Sequence, residues 1–117
     1  MRFLVHGVHV EPPGLERLVR ALSAIPRGSA AGTWALVEAM LGRERAVSMG
    51  HRKARHFCER TLEILERTGL ARRLPTKLPS SSPFARPGRR LVRKELAWAI
   101  TDEGVAFLRE RSGRGEP

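Results

Sequence analysis

The 117-residue sequence contains no Asn, no Gln and no Tyr, and it has only one Cys and one Asp. The single cysteine, Cys58, excludes a disulfide bond within the chain and is typical of a protein in a reducing cytoplasm. A Ser-His-Asp triad would depend on Asp102, for which a helix-capping role is the simpler explanation. Glycine motifs for phosphates or dinucleotides are also absent. We therefore expect a protein that is not an enzyme and binds no cofactor.

Long apolar runs are missing too. No run approaches the roughly 18 apolar residues that a membrane-spanning helix needs. The first ten residues, MRFLVHGVHV, are too short and too interrupted by histidine to form the apolar region of a signal peptide. These absences predict a cytoplasmic protein without a membrane partner.

Basic residues dominate the charge. Twenty-two Lys and Arg face twelve Asp and Glu, which gives a net charge of +10, and 19 of the basic residues are Arg. Such a surplus favours a polyanionic partner, with nucleic acid first, an anionic membrane second and an acidic protein third. The missing amides are thermolabile residues and favour a thermophile, although an Arg-rich, GC-rich genome would produce part of the same pattern.

The histidines are not spaced for a metal site. His51 and His56 would lie about 140° apart around a helix, and His6 and His9 would point to opposite faces of a strand. No metal ligand is therefore predicted. The side chains predicted to pack in the core are Cys58, Trp34 and Trp98.

The spacing of apolar residues predicts the order strand or arm, helix, helix, helix, strand, long loop, strand, helix. The predicted elements are a strand or arm over 2–10, helices over 15–25, 34–41 and 51–69, strands over 70–74 and 91–100, and a helix from 101 to about 111. The hydroxyls of Thr33, Ser48 and Thr101 are candidate N-caps of the last three helices. This order predicts one α+β, mainly helical domain with a winged helix-turn-helix fold: a three-helix core, a two-stranded wing hairpin and a C-terminal helix.

The domain is predicted to cover residues 13–111, after an arm over 1–12 and before a frayed tail over 112–117. Residues 43–48 are predicted to be a connection between the second and third helices. Residues 75–90, with four prolines and three consecutive serines, are predicted to be a wing loop that cannot pair as a regular ladder.

The third helix, HRKARHFCERTLEILERTG, is basic at its start and acidic further on. At 100° per residue its apolar side chains share one arc of about 160°, and every charged residue lies outside that arc. The predicted members of the arc are Ala54, Phe57, Cys58, Thr61, Leu62, Ile64, Leu65 and Thr68.

Two segments resemble winged-helix transcription regulators of the MarR-like and PadR-like kinds. FCERTLEILERTGLARRL (57–74) is similar to the end of their recognition helix and the first wing strand, where the pattern is "L…LE..GL..R". LAWAITDEGVAFL (96–108) is similar to their return strand and following helix, "..LT..G...L". The resemblance implies a sequence-specific DNA-binding protein, a transcription regulator, with a recognition helix over 49–68 in the major groove and a basic wing on the DNA backbone or in the minor groove.

A recognition helix enters the major groove of double-stranded DNA by its N-terminal end. Arg52, nearly opposite the apolar arc, is the best candidate for bidentate contact with guanine. Glu59 lies on the border between the basic and acidic parts, and it would either face solvent or accept from a cytosine amine. The candidate nucleic-acid-binding residues are Ser48, His51, Arg52, Lys53, Arg55, His56, Arg60, Lys77, Arg86, Arg89 and Arg90.

A solvated amphipathic helix with i, i+4 ion pairs, such as Glu63–Arg67, would explain the same charge pattern without DNA. Winged-helix readers commonly bind two half-sites, so a homodimer is expected, while any small-molecule effector is unknown. Two other functions fit the same sequence: a structured-RNA or ribosome-associated protein, and a protein-interaction module of the replication or transcription machinery.

Overall fold

Five helices and several short antiparallel strands make up the part of the chain that the structure, a computed structural model, describes. This part comprises residues 3–80 and 94–115, with the backbone alone for 112–115. The elements are β1 (Phe3–Val5), β2 (Val8–Val10), α1 (Pro12–Ser23), β3 (Ala31–Gly32), α2 (Thr33–Leu41), α3 (Arg43–Met49), α4 (His51–Arg67), β4 (Ala71–Arg73), β5 (Leu78–Pro79), β6 (Lys94–Glu95), β7 (Ala97–Ile100) and α5 (Asp102–Gly115). The class is α+β, as the sequence predicts.

The N-terminal segment is a hairpin and not one strand or arm. β1 and β2 pair antiparallel with Val5 opposite Val8, and the turn between them is made by His6 and Gly7. Both turn residues have a positive φ, 44° and 82°. Gly7 accepts this geometry without strain, so the chain can reverse its direction at this point.

A three-stranded sheet in the order β3-β7-β4 joins three distant parts of the chain. Trp98 in the central strand lies opposite Ala31 on one side and Arg73 on the other. No strand was predicted between the first two helices, but Ala31 and Gly32 form β3 there. Two residues are too few to show strand periodicity, so only the partner strand reveals them.

The core lies between the helices and this sheet. Leu15, Leu18 and Leu22 present the apolar face of α1, which packs against α2 and α4. Trp34 and Trp98 are almost fully buried, which confirms both tryptophans as core residues.

Residues 43–49 form a helix, α3, so the prediction of a plain connection is wrong. Gly42 and Gly50 bound this helix with φ of 85° and 88°, a region that glycine enters freely. The two glycines therefore divide one long helical stretch into α2, α3 and α4. Ser48 lies inside α3, and Gly50 occupies the N-cap position of α4 with no side-chain bond. The predicted Ser48 cap is therefore wrong.

Thr33 is the first residue of α2 and not its N-cap, which is Gly32. Its hydroxyl instead donates to the carbonyl of Leu96 at 2.9 Å and accepts from the indole N–H of Trp98 at 3.0 Å. The backbone N–H of Thr33 donates to the same carbonyl. These bonds tie the start of α2 to β7.

The predicted wing loop pairs at its described end. Leu78 lies opposite Glu95 and Pro79 opposite Lys94, so β5 and β6 form a short antiparallel ladder. The prediction that 75–90 cannot pair is wrong at these two positions, where a two-residue ladder tolerates one missing N–H. The predicted strand 91–100 is divided at Leu96 into β6 and β7, and residues 81–93 lie outside the described part.

α5 begins as predicted. The hydroxyl of Thr101 accepts the N–H of Gly104 at 3.1 Å, which confirms Thr101 as its cap, and it donates to the carbonyl of Gly69. A Cβ at residue 104 would collide with the carbonyl of Leu70, so only glycine fits. The helix continues to Gly115, past the predicted end near 111, and residues 116–117 lie outside the described part.

We expect Thr33→Val to lower the free energy of unfolding by about 1–3 kcal/mol, because it leaves the buried indole N–H of Trp98 without an acceptor. Urea titration followed by tryptophan fluorescence measures the change. Thr33→Ser keeps the hydroxyl and is the matched control. Equal stability of the Val and Ser variants would show that the hydroxyl does not hold this junction.

Candidate nucleic-acid interface

The apolar arc predicted for α4 is buried with one exception. Seven of its eight predicted members are buried, while Phe57 is 39% exposed. In the first two turns of α4, the side of the helix that does not pack on the core therefore carries charged or aromatic side chains. No acidic residue lies in the first turn.

A groove with a volume of about 670 Å³ lies between the front of α4, the start of α2 and the β5–β6 hairpin. Its lining combines predicted basic residues from two elements that are distant in sequence: His51, Arg52, Arg55 and His56 from α4, and Lys77 beside β5. Lys94 of β6 also lines it. The structure thus places the front of α4 and the paired strands β5 and β6 around one surface.

Three other predicted site residues lie away from the groove. Lys53, Arg60 and Ser48 are exposed but do not line the groove. The wing residues Arg86, Arg89 and Arg90 lie outside the described residues.

Two carboxylates share the groove with four Lys and Arg side chains. Glu59 lies at its rim, where its Oε2 is 3.2 Å from Nδ1 of His56 and both side chains are exposed. Glu95 is bound more firmly: it accepts the backbone N–H of Trp34 at 3.2 Å and the hydroxyl of Ser80 at 3.0 Å. Glu95 therefore positions the hairpin against α2, whereas Glu59 is free to change partners.

His51 stacks on Trp34, with ring centroids 5.4 Å apart and planes 11° apart. The indole N–H of Trp34 donates to Oε2 of Glu38 at 2.8 Å, which holds the tryptophan in place. This stack fixes the first residue of α4 at one wall of the groove. The sequence carries no signal for the pair, because its members come from two helices whose packing is tertiary.

The acidic rear of α4 pairs with its own arginines. Oε1 of Glu63 lies 3.7 Å from Arg60 and 3.8 Å from Arg67, while Glu66 pairs with Arg73 of β4 at 2.8 Å. The predicted Glu63–Arg67 pair is thereby confirmed, and Glu63 also lies near Arg60. Exposed pairs of this kind contribute about 0–1 kcal/mol each to the free energy of folding. They therefore arrange the surface charges but add little to the stability of the fold.

Phe57 is covered by two arginines that sequence analysis did not select. The guanidinium carbons of Arg17 in α1 and Arg45 in α3 lie 4.8 Å and 5.1 Å from the ring centroid. The sequence gives no signal that links these arginines to Phe57, which was placed on the apolar arc.

Cys58 is fully buried beside this cluster. Burial raises the pKa of its thiol from 9.0 to about 11, against the opposing effect of Arg17 and Arg45. The thiol is therefore protonated at neutral pH, which agrees with the predicted role as a small core residue. Within residues 3–80 and 94–115, no group of three His, Cys, Asp or Glu side chains is placed to hold a metal ion.

No described helix combines the length and the apolar character that crossing a membrane requires. Comparisons with known protein families, with curated proteins and with solved structures find no match to this chain. The geometry of the site is therefore the basis for assigning a function.

The raised pKa of Cys58 predicts a loss of stability at alkaline pH. Between about pH 9 and 11 the unfolded chain releases a thiol proton that the folded chain keeps, so stability falls as pH rises through this window. We expect the wild type to lose up to about 2 kcal/mol more than Cys58→Ala between about pH 8 and 10.5. Urea titrations at the two pH values measure this difference.

The background for this measurement is small, because the chain has no tyrosine and only three lysines. Parallel stability curves for the two proteins would show that the Cys58 thiol has the same pKa in the folded and unfolded chains.

Proposed function

We propose that the protein binds double-stranded DNA, with the front of α4 in the major groove and the β5–β6 hairpin as a wing against the backbone. The observation that carries the proposal is the shared groove, where cations from α4 meet Lys77 and Lys94 from the hairpin. A helix alone would explain one basic surface. A DNA duplex presents its phosphates over a curved surface, so a protein that binds it needs cations from more than one element on the same face.

The connectivity supports a winged helix-turn-helix arrangement. The helical core is followed by a pair of strands after α4, the candidate recognition helix. The elements follow the chain order α1, β3, α2, α4, β4 and β7, and the sheet has the order β3-β7-β4. The departure is α3, which occupies the usual position of a tight turn. This helix lengthens the connection while leaving the front of α4 exposed.

The chemistry of α4 agrees with this placement. Arg52 is exposed at the groove and nearly opposite the buried face, so its planar guanidinium is suited to two acceptors of guanine. Lys77 and Lys94 are point charges suited to phosphates. Glu59 pairs with His56 through an exposed contact among the residues that the structure describes, and its carboxylate is available to a cytosine amine.

The proposal includes a role in transcription regulation without catalysis, and a homodimer that binds two half-sites. The β1–β2 hairpin and α5 are the elements available for dimerisation, since neither lines the groove. Selection of bound sequences from a random duplex pool tests this part directly. An enriched palindrome supports a specific dimer, whereas enrichment of single half-sites supports a monomer.

We expect Arg52→Ala to weaken binding to a selected duplex by about 1–3 kcal/mol and to relax specificity at one base pair. Fluorescence anisotropy with the selected duplex and its single-base variants measures both effects. Arg67→Ala is the matched control, since Arg67 lies on the same helix at the acidic rear, beside Glu63.

Two results would contradict the proposal. If Arg52→Ala and Arg67→Ala both bind every duplex as tightly as the wild type does, α4 does not enter the major groove of DNA. If a structured RNA displaces duplex DNA at matched salt, the RNA-binding alternative replaces it.

A further inference from the structure

A second basic surface lies on the flank of α4 away from the groove. It consists of Phe57 with Arg17 and Arg45, which come from three different helices. Around the helix axis Phe57 is about 200° from Arg55, which lines the groove. We call these three residues the arginine–phenylalanine cluster.

The two guanidiniums of the cluster are held in place without being neutralised. Within the described residues, neither Arg17 nor Arg45 lies within 4.0 Å of a carboxylate, in contrast to Arg20, Arg60, Arg67 and Arg73. The aromatic ring fixes their position through cation–π contact. A stacked guanidinium keeps its N–H donors at its edge, where they remain available to an external anion.

The dimensions of DNA indicate what that anion is. An α-helix with its side chains is about 10–12 Å wide, and the major groove is about 12 Å wide. A helix in the groove therefore has phosphates of one strand along one flank and phosphates of the other strand along the opposite flank. Lys77 and Lys94 lie beside one flank of α4, across the groove of the protein. The arginine–phenylalanine cluster occupies the other.

We infer that Arg17 and Arg45 contact phosphates of the DNA strand that faces away from the β5–β6 hairpin. The inference rests on the proposed function, because it assumes that α4 enters the major groove. It adds a second backbone contact, made by α1 and α3, and it gives α3 a role that a tight turn could not perform.

The salt dependence of DNA binding tests the inference. Each phosphate contact contributes about 0.9 to the slope of log Kobs against log salt concentration. We expect the double variant Arg17→Gln/Arg45→Gln to reduce the magnitude of this slope by about 1–2 on a labelled duplex of random sequence. Arg45→Gln alone, at an exposed position, should reduce it by about 1.

The matched control is Arg20→Gln/Arg67→Gln, on α1 and α4. It removes the same charge from two exposed positions that lie outside the groove, the arginine–phenylalanine cluster and the elements assigned to dimerisation. Arg17→Lys/Arg45→Lys keeps both charges and should keep the wild-type slope. Circular dichroism melts establish that each variant is folded.

The outcomes are separable. A larger reduction for Arg17→Gln/Arg45→Gln than for Arg20→Gln/Arg67→Gln supports the inference. A reduction equal to or smaller than that of the control overturns the inference while leaving the proposed function intact. A wild type that binds no duplex DNA at about 50 mM salt overturns the proposed function itself.

Discussion

The junction between the start of α2 and the strands β6 and β7 is the interaction on which the rest of the structure depends. Thr33 binds Leu96 and Trp98 through its hydroxyl and its backbone N–H, and Glu95 accepts the backbone N–H of Trp34. These bonds join residues more than 60 positions apart and fix the hairpin opposite α4. Without them the groove would have one wall, because the two-residue ladder of β5 and β6 is too short to be stable alone.

The sequence was sufficient for the elements with strong periodicity. The amphipathic spacing of α1 and α4 and the Thr101 cap of α5 predicted these helices to within a few residues. It was insufficient where tertiary contacts decide the structure. β3 has two residues, β5 contains a proline, and α3 has seven residues between glycines of positive φ, so none carries a periodic signal of its own. Thr33 was expected to cap α2, but at this junction its hydroxyl binds Leu96 and Trp98 instead.

The site was predictable to the extent that it lies on one helix. Four predicted residues of α4 line one groove because helical spacing places them on neighbouring turns: His51, Arg52, Arg55 and His56. The predicted Lys77 lines the same groove. The other contributors could not be derived in this way. The stack of His51 on Trp34 and the two arginines over Phe57 depend on how α1, α2 and α3 pack around α4. Phe57 was assigned to the core because position on a helical wheel does not show how far the neighbouring helices extend.

The charge order of α4 opposes the preference of a helix. Carboxylates stabilise the N-terminal end of a helix and cations the C-terminal end, each by about 0.3–1 kcal/mol. α5 follows this rule with Asp102 and Glu103 in its first turn, whereas α4 begins with His51, Arg52 and Lys53 and has no acid there. Local rules are broken mainly at functional sites, because a functional demand outweighs the small loss of stability. Cations at an end whose dipole is already positive add to its attraction for an anion, so the same arrangement that weakens the isolated helix strengthens binding to phosphate. This reversal supports the proposed DNA interface independently of the groove.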